Sequence, residues 1–278
     1  MARIIGGIGT SHIPLVGAIV DRGLQDSAQW KPFFDSYQPM RRWLAEQRPE
    51  VAIVVYNDHG ADFFLDKMPT FALGLADHYP PADEGWGVRP LPALPGDPDL
   101  SWHLAESLIE QEFDLTLCQE LRVDHGLLVP MNLLWGSPQS WPVRIVPLQV
   151  NVLLHPIPTA ARCLKLGQAL GRAVASFAQD YKVVIVGTGG MSHQLHGARG
   201  GHTNPRFDNF FLEQLERDPA ALAKLSRREL MEEAGAEGVE LIMWLIMRGA
   251  LEQATRFYRS YYGPVSVTAA GSILFVNG

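Results

Sequence analysis

Four short apolar runs punctuate the chain: Arg3–Gly7, Val51–Tyr56, Arg144–Val150 and Lys182–Val186. They are rich in β-branched residues and do not alternate with polar ones. That pattern predicts strands covered on both faces. Between and after them, apolar residues recur at helical spacing over Pro39–Gln47, Asp99–Glu112, Thr159–Gln179, Pro205–Leu215 and Gly238–Met247. The helices before and after the Ile145 strand are long enough to cross over between parallel strands. The expected fold is α/β: a three-layer αβα sandwich around a mostly parallel sheet, with an irregular C-terminal part. The Pro- and Gly-rich stretch Tyr79–Pro98 is too irregular for an element, and its Trp86 and charged residues favour an ordered functional loop over a linker.

Composition narrows the class. With 278 residues, 47% hydrophobic and 19% charged, the chain is an ordinary globular one, long enough for one large domain or two small ones; a single domain over residues 1–278 is expected. A chain of this length buries about three quarters of its unfolded surface and needs no disulfide staple. Its two cysteines, Cys118 and Cys163, are too few for a disulfide framework or a Cys-based zinc site. The net charge is −7 and no basic run interrupts it, which argues against nucleic acid or an anionic membrane as partner. The N-terminus has no signal-peptide pattern, and the longest strongly apolar stretch, Leu241–Met247, is far short of the roughly 20 residues a bilayer span needs. A cytoplasmic location is expected.

Three of the nine histidines occupy matching places. His12 follows the first predicted strand, His59 the second, and His193 the Lys182–Val186 strand. Ligands of open α/β sheets gather outside the carboxyl ends of strands, so these imidazoles can meet although they lie far apart in sequence. A single such histidine is more often a loop brace; three coincident placements weaken that reading. His125, in VDHG, is a fourth candidate, beside an acidic residue able to orient it.

Glu240 is the second signal. It interrupts a run, Val239–Met247, that is otherwise apolar all round and therefore expected to be buried. A buried carboxylate must be paired, protonated or bound to metal. A salt bridge to Arg248 or another arginine, or exposure at the first helical turn, is the alternative, and Glu237 is a competing choice of carboxylate. Two histidines with Glu240 would form a 2-His-1-carboxylate set, which leaves open positions on one face of Fe(II). The GTGG sequence at 187–190 lacks the lysine and spacing of a phosphate loop and reads as a tight turn presenting His193. Asp58 reads equally as a brace for a ligand or a turn cap. Trp43, Trp102 and Trp244 fall in helical patterns and are expected in the core.

The motifs TSHIP at 10–14, VYNDH at 55–59, PADEGWG at 81–87, VDHG at 123–126, VGTGGMSHQ at 186–194 and EGVELIMWLIMRGAL at 237–251 together resemble the class III extradiol ring-cleavage dioxygenases, in particular the protocatechuate 4,5-dioxygenase β-subunit family. The resemblance covers essentially the whole chain. It implies Fe(II) held by His12, His59 and Glu240, with His193 as active-site base and His125 as a further pocket histidine. It implies a catechol acid and O2 as substrates, with the ring opened outside the diol. The substrate carboxylate needs a donor, for which Ser266, Thr268 and Asn57 are candidates.

The chain stops at FVNG, where single-chain gallate dioxygenases of this family continue into a small helical domain. The resemblance therefore implies a separate small helical α subunit and an α2β2 assembly. DEGWG matches protocatechuate enzymes, whereas IIGGIGTSH and VPLQVNVLLHPIPTA look closer to gallate and 3-O-methylgallate enzymes. Protocatechuate 4,5-cleavage is the first expectation and gallate or 3-O-methylgallate cleavage the alternative. A zinc-dependent hydrolase using the same three ligands, or a non-catalytic partner subunit, are the readings of other classes.

Overall fold

The apolar runs become the middle of one sheet because both of their faces are covered. The computed structural model describes residues 1–84, 91–136 and 138–278; Trp86 lies outside them. The chain begins with β1 (Arg3–Thr10), α1 (Pro14–Asp21), α2 (Lys31–Asp35), α3 (Gln38–Gln47), β2 (Val51–Tyr56) and β3 (Phe71–Gly74). A two-stranded ribbon of β4 (His78–Tyr79) and β5 (Leu94–Pro95) follows, within the stretch expected to be irregular. Then come α4 (Pro98–Glu110), β6 (Thr116–Cys118), α5 (His125–Trp135), β7 (Arg144–Val150), α6 (Ala160–Ser176) and β8 (Lys182–Thr188). The last third holds α7 (Pro205–Arg217), α8 (Pro219–Ala223), α9 (Arg227–Ala234), a 3-10 turn (Gly238–Leu241), α10 (Ile242–Gly249), β9 (Ala254–Val265) and β10 (Thr268–Asn277).

Among the described residues the large sheet has eight strands in the order β6-β3-β7-β2-β8-β1-β10-β9. Strands β7, β2, β8 and β1 run parallel to one another. β10 is antiparallel to β1, and β9 to β10. The C-terminal part expected to be irregular is this long hairpin, which extends the sheet at its β1 edge. Its strand β9 is only partly buried and mixes Arg, Tyr and Ser with apolar residues, so it lacks the continuous apolar run that marks a central strand.

Alternate residues of β2 face opposite cores. Ile53 and Val55 join α4, α6 and α10 in one cluster; Ala52, Val54 and Tyr56 join α1, α3 and α5 in the other. That is the three-layer arrangement, and it follows from the period of two along a strand. Helix α10 is apolar all round, with Ile242 to Met247 buried, because it lies against the sheet with other helices over it. Its approach needs the glycines of β1: a Cβ on Gly9 would stand 2.4 Å from the Trp244 ring. Trp43 and Trp244 are core residues as expected, but Trp102 is not: it is 44% exposed on the outer face of α4, where helical spacing alone did not reveal which side is covered. Among the described residues no helix is long and apolar enough to cross a membrane.

Candidate metal centre

Strands β2, β8 and β1 are neighbours, so their carboxyl ends open onto one crevice. His12 leaves the end of β1, His59 the end of β2, and His193 the segment after β8. Glu240 comes from the 3-10 turn that leads into α10. The expected α-helix over Gly238–Met247 therefore begins as a tighter turn, with Glu240 in it.

The side chains converge. His12 Nε2 lies 3.0 Å from Glu240 Oε2, and His59 Nε2 lies 3.6 Å from Glu240 Oε1. One ligand atom from each of His12, His59 and Glu240 can be chosen so that all lie within 4.8 Å of one another. Ligand atoms about 2.1 Å from a common ion stand about 3 Å apart at right angles, so these separations fit a divalent cation. His193 Nε2 is 4.0 Å from Glu240 Oε2. Asn57 Nδ2 donates to Glu240 Oε1 at 3.3 Å and sits 3.1 Å from His59 Nε2.

Each of these groups is held from behind. His12 Nδ1 meets Thr188 Oγ1 at 3.2 Å. Asp124, the N-cap of α5, accepts from the His59 backbone N–H at 2.7 Å and meets the ring Nδ1 at 2.9 Å. Glu240 Oε2 accepts the Gly190 N–H at 2.7 Å. Gly189 has φ 128, and a Cβ there would stand 2.9 Å from Glu240 Cβ, so glycine is required where the turn after β8 passes the carboxylate. The GTGG sequence thus supports both Glu240 and the presentation of His193. The His125 ring stacks on His59 at 3.9 Å between centroids, and its Nδ1 is 2.5 Å from Glu84 Oε1.

Charge follows from this packing. Burial opposes ionisation of Glu240, yet His12, His59 and His193 around it hold its carboxyl well below the usual range. Burial likewise opposes the charged form of His59, but Asp124 and Glu240 outweigh it and push its pKa up to about 10 before any metal enters. Asp124 is lowered by His59 despite its burial. His125 is lowered by burial and by the positive charge of His59, against the pull of Glu84.

The structure brings together His12, His59, Glu240, His193, His125 and Asn57. Thr268 forms a β-bridge with His193. Ser266 is exposed at the turn between β9 and β10, with φ 65. Glu240 is bonded to His12, Asn57 and Gly190, with His59 and His193 close by, while Arg248 donates to the Leu215 and Leu251 carbonyls. Glu237 instead accepts from the Leu195 backbone at 3.0 Å. Asp58 caps the turn after β2, accepting from Gly60, Ala61, Asp62 and Phe63. Sequence reading linked Asp124 to His125 by adjacency; the carboxylate turns to His59, and Glu84 holds His125. Thr188 and Gly190 lie in the GTGG turn expected to present His193, but their contacts with His12 and Glu240 carry no local pattern, because they are made across the fold.

The family model for the catalytic LigB subunit of aromatic ring-opening dioxygenase matches residues 6–271. Over 197 residues the chain is 49% identical to a gallate dioxygenase of Pseudomonas putida, an alignment covering 70% of this chain and 58% of that protein. The chain thus spans little more than half the length of that relative. It is 30% identical over 272 residues to a 2,3-dihydroxyphenylpropionate/2,3-dihydroxicinnamic acid 1,2-dioxygenase of Paraburkholderia xenovorans, covering 81% of this chain and 83% of that protein. The crystal structure of an uncharacterized protein from Escherichia coli K12 superposes with a TM-score of 0.62 at 17% identity, over 99% of this chain and 100% of that one; this is a likeness of fold. The chain belongs to the family of catalytic LigB subunits of aromatic ring-opening dioxygenases.

Proposed function

We propose that this chain is an Fe(II)-dependent extradiol dioxygenase that opens the ring of a catechol carboxylic acid, with residues 1–278 forming one catalytic unit in the cytoplasm. The observation that carries the reading is the meeting of His12, His59 and Glu240 within 4.8 Å, with a fourth side chain, His193, directed at the same carboxylate. Fe(II) bound by these three would leave sites for both catechol oxygens and O2, and would pass electron density from ring to O2.

The protein's own groups do the rest. Glu240 supplies the one negative ligand, kept ionised by the surrounding imidazoles. Asp124 fixes the His59 ring by holding its Nδ1 at 2.9 Å, so that Nε2, on the Glu240 side, is the nitrogen that would hold the iron. His193 Nδ1 donates to the Met191 carbonyl at 2.8 Å, so Nε2 is left to accept the proton of a substrate hydroxyl and later to return it. His125, steadied by Glu84, and Asn57 would meet the substrate on the His59 side. Thr268, beside His193, is the better placed of the two C-terminal candidates for the substrate carboxylate; Ser266 is the weaker.

The 49% identity to a gallate dioxygenase makes gallate the favoured substrate and moves protocatechuate, the first expectation from the motifs, to second place. Comparing kcat/KM for gallate, 3-O-methylgallate and protocatechuate tests this; a clear preference for protocatechuate would overturn the order. His193→Ala is expected to lower kcat by about 100- to 10,000-fold, the range for a general base. Parental turnover in that variant would remove His193 from the mechanism. A small helical partner in an α2β2 assembly is carried over from the family resemblance, and copurification from the native host tests it.

A further inference from the structure

Asp208, on α7, is a carboxylate with no exposed surface. Its hydrogen-bond partners are neutral donors, a costly setting for a charge. Oδ1 accepts the Ser192 backbone N–H at 2.8 Å, and Oδ2 accepts Ser192 Oγ at 2.7 Å and Tyr261 Oη at 3.0 Å. Ser192 Oγ in turn accepts the Asn204 N–H at 2.6 Å. One carboxylate therefore ties α7, the partly buried strand β9 and the segment before His193 together.

The peptide unit joining Met191 to Ser192 is bonded at both ends. Its N–H points to Asp208; its carbonyl accepts from His193 Nδ1 at 2.8 Å. A trans peptide is planar, with C=O and N–H directed oppositely, so fixing the N–H fixes the carbonyl. A carbonyl can only accept, so this carbonyl keeps the ring proton on Nδ1 and leaves Nε2, 4.0 Å from Glu240 Oε2, as the acceptor.

We propose that Asp208 is a positioning residue for His193: by holding the Met191–Ser192 peptide in one orientation, it keeps His193 in the Nδ1–H tautomer with Nε2 facing the substrate. The catalytic consequence rests on the reading of His193 as base; the tautomer does not.

The test is 15N spectroscopy of histidine-labelled full chain loaded with diamagnetic Zn(II), read beside steady-state kinetics of the Fe(II) enzyme. The parent is expected to show one Nδ1–H tautomer at His193. Asp208→Ala is expected to show a mixture and to lose kcat by about tenfold or more with KM within about twofold, as a mis-set tautomer does. Asp208→Asn, whose amide oxygen can still accept the Ser192 N–H, is expected to recover most of both. If Asp208→Ala does not fold, Asp208→Ser fills more of the site while its single hydroxyl, one bond shorter than the carboxylate, withdraws from the Ser192 N–H that Oδ1 accepts at 2.8 Å, and the same outcome is expected of it. A single Nδ1–H tautomer in the alanine or serine variant, or equal scrambling in the asparagine variant, would overturn the proposal. Absence of O2-dependent turnover in the parent would overturn the base assignment while the spectra still decide the positioning.

Discussion

Glu240 is buried among histidines rather than among arginines or lysines, and that difference sets its use. A buried carboxylate paired with arginine is spent on structure; one facing three histidines can exchange their protons for a metal ion. Glu240→Gln removes the one negative ligand and is expected to abolish stable metal binding, measured as metal per chain after dialysis. Asp124→Asn leaves the ligands in place but loosens His59, and a loss of metal affinity of about 10- to 100-fold is expected. Full metal retention by either variant would contradict these roles. The metal-free protein also carries a pH signature. His59 is pushed up to about 10 by Asp124 and Glu240 against the effect of burial, above the ordinary value near 6.5. Its stabilising contribution is therefore complete below about pH 6.5 and lost as pH rises toward about 10. Thermal unfolding of metal-free protein is expected to move to lower temperature over that window, and metal-loaded protein to resist the change. A pH-independent melting point in the metal-free form would contradict the ion pairing.

At the level of elements, the site depends on how closely α10 can approach β1. Gly9→Ala would drive a methyl into the Trp244 ring and, as overpacking, is expected to cost about 1–3 kcal/mol. Because α10 continues directly from the turn that carries Glu240, metal affinity should fall with stability; urea unfolding and metal titration on the same sample check both. Unchanged metal affinity in a destabilised variant would separate the helix seating from the site. The same elements explain what could be read from sequence. His12, His59 and His193 were legible because strand ends are marked by local apolar runs. Glu240 was legible because one charge interrupts an apolar helix pattern. Asp124 and Glu84 were not assigned to their partners because those pairings join residues 65 and 41 positions apart. The hairpin escaped because its edge strand β9, rich in Arg and Tyr, carries no continuous apolar run, which leaves the short Ile273–Val276 run of β10 without a partner in the sequence pattern. The outward face of Trp102 could not be told from helical spacing, which gives a stripe but not the neighbour that covers it.

For the whole molecule, two separate cores clamp the sheet from either side, and parallel strands deliver their ends to one crevice where the 3-10 turn leading into α10 supplies the carboxylate. Membership in the ring-opening dioxygenase family joins this architecture to a reaction class, and the proposed iron joins it to O2. The same three ligands could hold zinc, so the choice of reaction is made by redox chemistry rather than by shape. The decisive measurement is oxygen uptake by anaerobically purified chain reconstituted separately with Fe(II) and Zn(II), with gallate as substrate. One O2 consumed per ring opened by the Fe(II) form, and none by the Zn(II) form, is expected. Oxygen-independent turnover supported by zinc, with no O2 consumed by the iron form, would contradict a ferrous dioxygenase built on His12, His59 and Glu240.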